Sequence, residues 1–590
     1  MKNRMKKLIS VMLAAIVFAG NLVGTTQVQA SEIESRTLDI YDAEVPAVEE
    51  NTSSDGMRGA AQVPSAYHNT TAELHALYPA TRSQGNYNTC WAFSGVGLAE
   101  FDLITDDKVA DKSIDLSELQ AAYFTYHSVD DAFGGMLADD VDVSLLSGNY
   151  MSCGGNMYYL SRALMQWKGL VRESDAPYTN VTRTISDSLA YQKDVAHLQN
   201  VYLMNIHKNP SSVKKAIIAH GAASIGFTAV DKNVYDQMAY YGPEGGMVAT
   251  YRCDKKATVD HQAIVVGWDD NFPASAFKYP AKKNGAWLVR NSWSDLSDNS
   301  YYSYFWMSYE DASLEDASWV FDFEPGDNYD YNYQYDGAVY AYKVKSYPKE
   351  ANVFLVKGSA NQQLRAVSIS MMQDANVPYT IKIYTNIASA KKPTSGILAA
   401  KVTGKTSYAG VYTIPLKKAV SIPKGTKYAV VVEFNKKNKG VDMECSGKNQ
   451  HLSITAFSDY GQSFVYSNGS WRDLADLAEY TGIGNLCIKA YTDKTGTSIG
   501  KVKSVRAKAG KTSMRISWSK VASAETYEVY RATSEKGTYK KVAIVKGKHY
   551  TDKKLSKGKT YYYKVRACKT NGKKSVAGAL SDVKKATTKR

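Results

Sequence analysis

The chain has little of what most chemistries require. Six cysteines (Cys90, Cys153, Cys253, Cys445, Cys487, Cys568) are spread over 590 residues. None pairs at CxxC spacing, so neither a disulfide scaffold nor a zinc ribbon is encoded. No HExxH occurs, and neither GxxxxGK[ST] nor a strand–GxGxxG–helix unit is present, which removes the common zinc-hydrolase and nucleotide-binding signatures. Long apolar runs are missing apart from one, Leu8 to Gly20, preceded by Lys2, Arg4, Lys6 and Lys7 and followed by Val28-Gln29-Ala30. That pattern predicts a secretory signal peptide over 1–30, too short to span a bilayer comfortably. With no lipid-anchor or sortase-type signal, the mature protein is expected to be exported, soluble and without a transmembrane segment.

What is present suits a large packed protein. At 44% hydrophobic and 22% charged residues, wholesale disorder is excluded, and the length calls for about three domains. Residues 31–62 carry eight Asp/Glu against two Arg and no helical periodicity, as expected of a short acidic pro-segment removed near Arg58 to Gln62. Apolar residues at Ala92, Phe93, Val96, Ala99 and Leu103 mark one face of a helix over 90–104. Asn88 and Thr89 are candidate caps, which places Cys90 in the first turn. Further helices are predicted over 158–167 and 213–219, followed by short buried strands in HQAIVVGW, GAWLVRNSW and YYSYFWMSY. This is an α+β arrangement over 63–322.

Beyond it the helical signal fades. In DNYDYNYQYDG the tyrosines 329, 331, 333 and 335 alternate with Asp330, Asn332, Gln334 and Asp336. The tyrosines are expected in a core and the polar residues on a solvated strand face. That face offers oxygens but lacks the glycine and closing glutamate of a calcium loop. Strand-like runs through 323–493 predict an all-β sandwich of jelly-roll size. In 494–590, after the small polar linker 495–498, alternating strands surround Trp518, and Leu555 to Tyr561 resembles the tyrosine corner of a fibronectin type III sandwich.

Taken singly, the chemical candidates have bland readings. Cys90 on a helix can be a buried core thiol, His261 a hydrogen-bonded core histidine, Asn291 a strand-end residue and Gly154-Gly155 a turn. Together they match a nucleophilic site. A helix start favours a thiolate, because its unpaired N–H groups carry partial positive charge. Gln84 on the preceding loop can aim an amide at the same point as the Cys90 N–H. His261 opens a buried strand, and the Asn291 carbonyl oxygen can orient its ring under Trp293.

QGNYNTCWAFS, SCGGNMYYLSRAL, DHQAIVVGWDD and RNSW, in this order, resemble the papain-like cysteine proteases, and DLSELQ (115–120) resembles a further family segment. The resemblance covers about 63–322. It implies Cys90 as nucleophile, His261 as general acid/base, Asn291 as its orienter and Gln84 as oxyanion donor. Gly154 and Gly155 would hold the substrate backbone, Asp260 would border the main specificity pocket, and neither metal nor organic cofactor is implied. Tyr87 stands where many relatives have a disulfide cysteine. With the short pro-segment, that resembles a bacterial subgroup whose protease is followed by a lectin-like jelly roll, which 323–493 resembles in YQYDG, YSNGSWRDL and NLCIKAYT. The expected partner is a protein or peptide substrate. The 26 Lys/Arg against five Asp/Glu in 501–590 add a candidate contact with an anionic wall polymer. No recognition motif accompanies that charge, so nucleic acid is not expected.

Overall fold

The computed structural model describes residues 63–590 apart from several short stretches, the longest being 130–142, 230–237 and 294–302. The predicted signal peptide, pro-segment and 495–498 linker lie outside the described residues.

Among the described residues there are six helices, α1 (Thr71–Leu77), α2 (Cys90–Thr105), α3 (Glu118–Tyr126), α4 (Met157–Leu164), α5 (Ser188–Tyr191) and α6 (Pro210–His220), of which α2, α4 and α6 pack against one long sheet. Thirteen of the sixteen residues of α2 are buried. A helix apolar on nearly all sides belongs in the middle of a fold. The strand His261–Asp269 explains its own unbroken apolar run, because both of its faces are covered. Ile264 and Val266 join α2, α3 and α4 in one core, whereas Ala263 and Val265 join Val213, Ala216 and Ile217 of α6 in another.

The sheet does not stop where the helices do. Its strands run in the order Tyr331–Tyr333, Ile488–Lys494, Gln362–Met371, Ala409–Ile422, Ala196–Asn205, Ala317–Pro325, Ala223–Phe227, His261–Asp269, Ala286–Arg290, Tyr304–Ser308, Met247–Tyr251 and Met238–Tyr241. The strand Ala317–Pro325 therefore crosses the 322/323 boundary read from the sequence. The two halves join where Leu203, Tyr202 and Val201 pair with Ala409, Gly410 and Val411. A second, six-stranded sheet from Ile397–Lys405 through Pro378–Thr385 to Ser470–Asp473 faces the far half and closes a sandwich.

One expectation is overturned here. Most of the polar face of DNYDYNYQYDG is not solvated: Asp330 stays half-buried, but Asn332, Gln334 and Asp336 are each no more than 1% exposed. Tyr331, Tyr333 and Tyr335 enter the sandwich core as expected. Gln334 donates to the Gln166 carbonyl at 3.1 Å, so the polar face is covered by the helical half. Alternation reports that two faces differ; it does not say what each face meets.

The final sandwich is fibronectin type III-like, with a separate core around Trp518, Tyr527 and Tyr563. Arg506–Ala509, Met514–Ser517 and His549–Asp552 form one sheet, and the sheet centred on Thr526–Ala532 and Thr560–Asn571 forms the other. The tyrosine corner is made: Ser556 N–H donates to the Tyr561 hydroxyl at 3.1 Å. No helix among the described residues is long and apolar enough to cross a membrane.

Gly410 sits at φ 151°, and a Cβ there would drive into the Val201 carbonyl oxygen across the seam. Gly410→Ala should therefore lower the urea-unfolding stability by roughly 3 kcal/mol. Gly425, at φ 75° with open space around it, is the control; Gly425→Ala should cost only about 1 kcal/mol. Equal losses would mean that the close approach at the seam is not what requires glycine.

Candidate active site

Cys90 is the first residue of α2. The helix cap differs from the sequence expectation. Thr89 is the cap residue but makes no side-chain capping bond; its hydroxyl pairs with that of Tyr178 at 2.7 Å. Asn88 donates instead to the Ser152 carbonyl at 2.8 Å. The first turn is closed by the Thr89 carbonyl, which accepts from Ala92 and Phe93 at 2.9 and 3.1 Å. Trp91, next to the cysteine, is fully buried and lies directly beneath Gly155, where any Cβ would strike its ring. The Cys-Trp pair thus couples a thiol to the floor of a glycine wall. Gly154 has φ 75° and open space where a side chain would be, and its carbonyl accepts from the Tyr126 hydroxyl at 2.6 Å.

The predicted base and orienter meet. His261 Nε2 and Asn291 Oδ1 are 2.8 Å apart. Oδ1 also accepts from Ser292 N–H at 2.8 Å, which fixes the carboxamide with its oxygen toward the ring. With Nε2–H donating to Asn291, Nδ1 keeps a free lone pair. The Trp293 ring lies 4.4 Å from the imidazole, centroid to centroid, and shields that bond from water. Phe227 closes the other side at 5.4 Å.

Cys90 belongs to the same constellation. The backbone N–H of Gln262, the residue after His261, faces its sulfur. Burial pushes the thiol up to about 11, against the pull of that N–H and of Trp91 N–H, and exposed Asp260 adds a small push the same way. Burial likewise pushes the His261 imidazole down to about 4, opposed by Asn291 and Asp260. Desolvation alone favours the uncharged form of each group. Asp260 also accepts from Ala229 N–H at 2.7 Å, which ties the site to the adjacent chain segment.

Gln84 is nearly buried and clamped at both ends of its carboxamide. Its oxygen accepts from the Ser292 hydroxyl at 2.7 Å, and one N–H goes to the Tyr87 carbonyl at 2.6 Å. The second N–H makes no hydrogen bond among the described residues. Ser292, between Asn291 and Trp293, is a positioning residue that sequence reasoning missed, although the Asn-Ser-Trp triplet contains it. Arg82, two residues before Gln84, reaches Glu118 at 2.7 Å and Glu100 at 2.9 Å, with Asp115 also on its fork. Burial pushes the Glu118 carboxyl up to about 8, so near neutral pH this cluster carries less negative charge than its composition suggests. This loop anchor was also missed, since nothing in a single sequence pairs residues 82 and 118.

All six cysteines are free thiols. Among the described residues, Asp102, His220 and Asp322 alone group donor atoms closely enough for a metal. Asp102, however, already accepts from His220 Nδ1 and Phe323 N–H, at 2.7 Å each, and so locks α6 and the Ala317–Pro325 strand to α2.

The family description "Papain family cysteine protease" matches residues 69–318, and "Lectin like domain" matches 331–492. A cysteine protease of Blomia tropicalis is 25% identical over 38% of this chain and 56% of its own length. Procathepsin L of Mus musculus is 26% identical over 36% and 52%. The chain thus spans about half the length of the curated relatives it matches. The solved cysteine protease and lectin-like domains of Cwp84, a surface layer associated protein of Clostridium difficile, align over 80% of this chain and 98% of that one. Their TM-score is 0.57 at 22% identity, a likeness of fold. The chain accordingly carries a papain-family cysteine protease domain followed by a lectin-like domain.

Proposed function

We propose that the protein is an exported cysteine endopeptidase that hydrolyses peptide bonds of surface or extracellular proteins through Cys90, His261 and Asn291. The observation that carries this reading is the His261–Asn291 hydrogen bond at 2.8 Å under Trp293, beside a thiol at a helix start. His261 Nδ1 takes the thiol proton as sulfur attacks the carbonyl carbon. The free Gln84 N–H and the Cys90 backbone N–H receive the oxyanion. The imidazolium then protonates the leaving amine, and the neutral ring activates water to release the acyl group. The open space at Gly154 leaves room for an extended backbone to lie along 154–155, with Asp260 and Trp293 at the edges of the cleft. Export rests on the 1–30 pattern, and a cell-surface setting is in keeping with the surface-layer association of Cwp84.

The division into a protease unit over 63–322, a lectin-like unit over 323–493 and a fibronectin type III-like unit over 494–590 belongs to the same reading. Two rivals remain distinct: a cell-wall peptide hydrolase would clear purified walls and spare casein, and an inert adhesin would resist labelling by an epoxide thiol inhibitor.

Cys90→Ala should abolish casein cleavage without unfolding the chain, because the sulfur contributes little packing. His261→Ala should lose about 10²- to 10⁴-fold, and Asn291→Ala should keep measurable activity because it orients the base without exchanging a proton. More than a few per cent of activity in Cys90→Ala would overturn the mechanism.

The pH profile is a separate test. Since burial holds His261 near 4, its ring stays a competent base as pH falls through 6. The acid limb of kcat/KM should then lie near pH 4. A limb near the ordinary histidine value of about 6.5 would contradict a desolvated base.

The tail generates the last prediction here. Its 26 Lys/Arg against five Asp/Glu give about +21, while the whole chain is +14, so the remainder is about −7. Exposed charge acts over about 8 Å at physiological salt, so retention on an anionic wall polymer should weaken steeply as salt rises. Full-length protein should pellet with purified walls at low salt and a chain ending near Asp493 should not. Equal pelleting, or binding indifferent to salt, would leave the module a spacer.

A further inference from the structure

A buried polar cluster outside the site lies where α4 meets the lectin-like domain. Helix α4 begins just after Gly154 and Gly155, with Asn156 capping it by accepting from Tyr159 N–H. Three side chains from α4 and the turn after it cross to the other domain. The Tyr158 hydroxyl donates to the Ala341 carbonyl and accepts from Ala341 N–H at 3.0 Å. Gln166 donates to the Gly337 carbonyl. Arg162, only 3% exposed, places Nη2 3.3 Å from Asp336 Oδ2, the oxygen that also takes Lys489 Nζ at 2.7 Å.

A buried ion pair is a poor source of net stability, because desolvation consumes most of the attraction. Its use is directional: the guanidinium is planar and always charged, and its reach is set by its fork. The turn after α4 is also held in an unfavourable conformation. Trp167 has φ 71°, and its ring lies 4.9 Å from that of Tyr491 of the lectin-like domain, tilted by 37°. A bulky residue at positive φ persists only where surrounding contacts over-determine it. The glycine wall, for its part, has no side chains of its own. Its fixed points are Trp91 beneath Gly155, Tyr126 on the Gly154 carbonyl and the start of α4.

We propose that Arg162 is a positioning residue: through Asp336, the lectin-like domain holds α4, and with it the Gly154–Gly155 wall, in the geometry that accepts an extended peptide. This rests on the peptidase reading above and deepens it, since it makes the second domain part of the substrate site. Cys90, His261 and Asn291 stand on α2 and the sheet, not on α4. Loosening α4 should therefore weaken substrate binding in ground and transition states alike, and spare the chemical step.

The test is full-length Arg162→Met, which leaves Asp336 paired with Lys489. KM for an extended peptide should rise roughly tenfold, while kcat and the rate of Cys90 alkylation by iodoacetamide stay within about twofold. Arg162→Lys should recover part of the KM loss by restoring the charge. Tyr158→Phe, which keeps every charge, should raise KM in the same direction and carries the test should Arg162→Met fail to fold. Unchanged KM, or KM, kcat and alkylation all worsening together, would overturn the proposal. Hydrogen exchange over 153–160 needs no turnover and should quicken in Arg162→Met. Faster exchange with a wild type inactive on peptides would sink the peptidase reading alone, and unchanged exchange would sink the positioning role.

Discussion

The antiparallel pairing of His261–Asp269 with Ala286–Arg290 sets where base and orienter stand, and the remaining parts of the site are arranged around it. Ile264 faces Arg290 in that register, so Asn291 falls opposite Ala263 and diagonal to His261. Diagonal neighbours on one face are about 7–8 Å apart at the backbone, a gap that an imidazole and a carboxamide together can close. A slip of one residue would turn one of the two to the opposite face and destroy the 2.8 Å bond. The register is pinned by an irregularity between Val265 and Gly267. There the Tyr67 and His68 carbonyls press so close that any side chain at 267 would collide. Helix α2 then needs only to deliver Cys90 to the end of the same strand, where Gln262 N–H meets the sulfur.

Placing the site this deep has an electrostatic consequence. Burial disfavours charge on the thiol and on the imidazole individually, so under the proposed mechanism a thiolate–imidazolium pair would be reached by proton transfer inside the site and not by separate titration. The neighbouring charges are paired among themselves. Arg82 gathers Glu100, Glu118 and Asp115 behind the Gln84 loop, and the His220–Asp102 pair sits toward the far end of α2. Arg82 and His220 thus hold these carboxyl groups on their own side chains.

The elements carrying the chemistry were legible in the sequence because they are local. The apolar periodicity from Cys90 onward gave α2, observed to Thr105, and the unbroken run from His261 gave a strand covered on both faces. Cys90, His261, Asn291 and Gln84 could be named from spacing and resemblance, and the fold brings them to one place. What was not legible depends on long-range contacts. Thr89 reads as a side-chain cap, yet its hydroxyl is taken by Tyr178, 89 residues away. The polar face at 332–336 reads as solvated because alternation is blind to a partner 174 residues upstream, and the sheet seam at Gly410 has no local signature.

That misreading bears on how the architecture divides its labour. The first two domains share a sheet, a hydrophobic core and a buried ion pair, so neither can shift without disturbing the other's packing. Interiors packed to crystal-like density transmit such strain instead of absorbing it. The last sandwich has its own sheets and core, and no strand of it pairs with the others among the described residues. It also holds the positive charge, while the remainder of the chain is net negative. Geometry-dependent work is thus confined to the part that is rigidly joined. The proposed charge-dependent retention, by contrast, would need no fixed geometry and suits a module with an independent core.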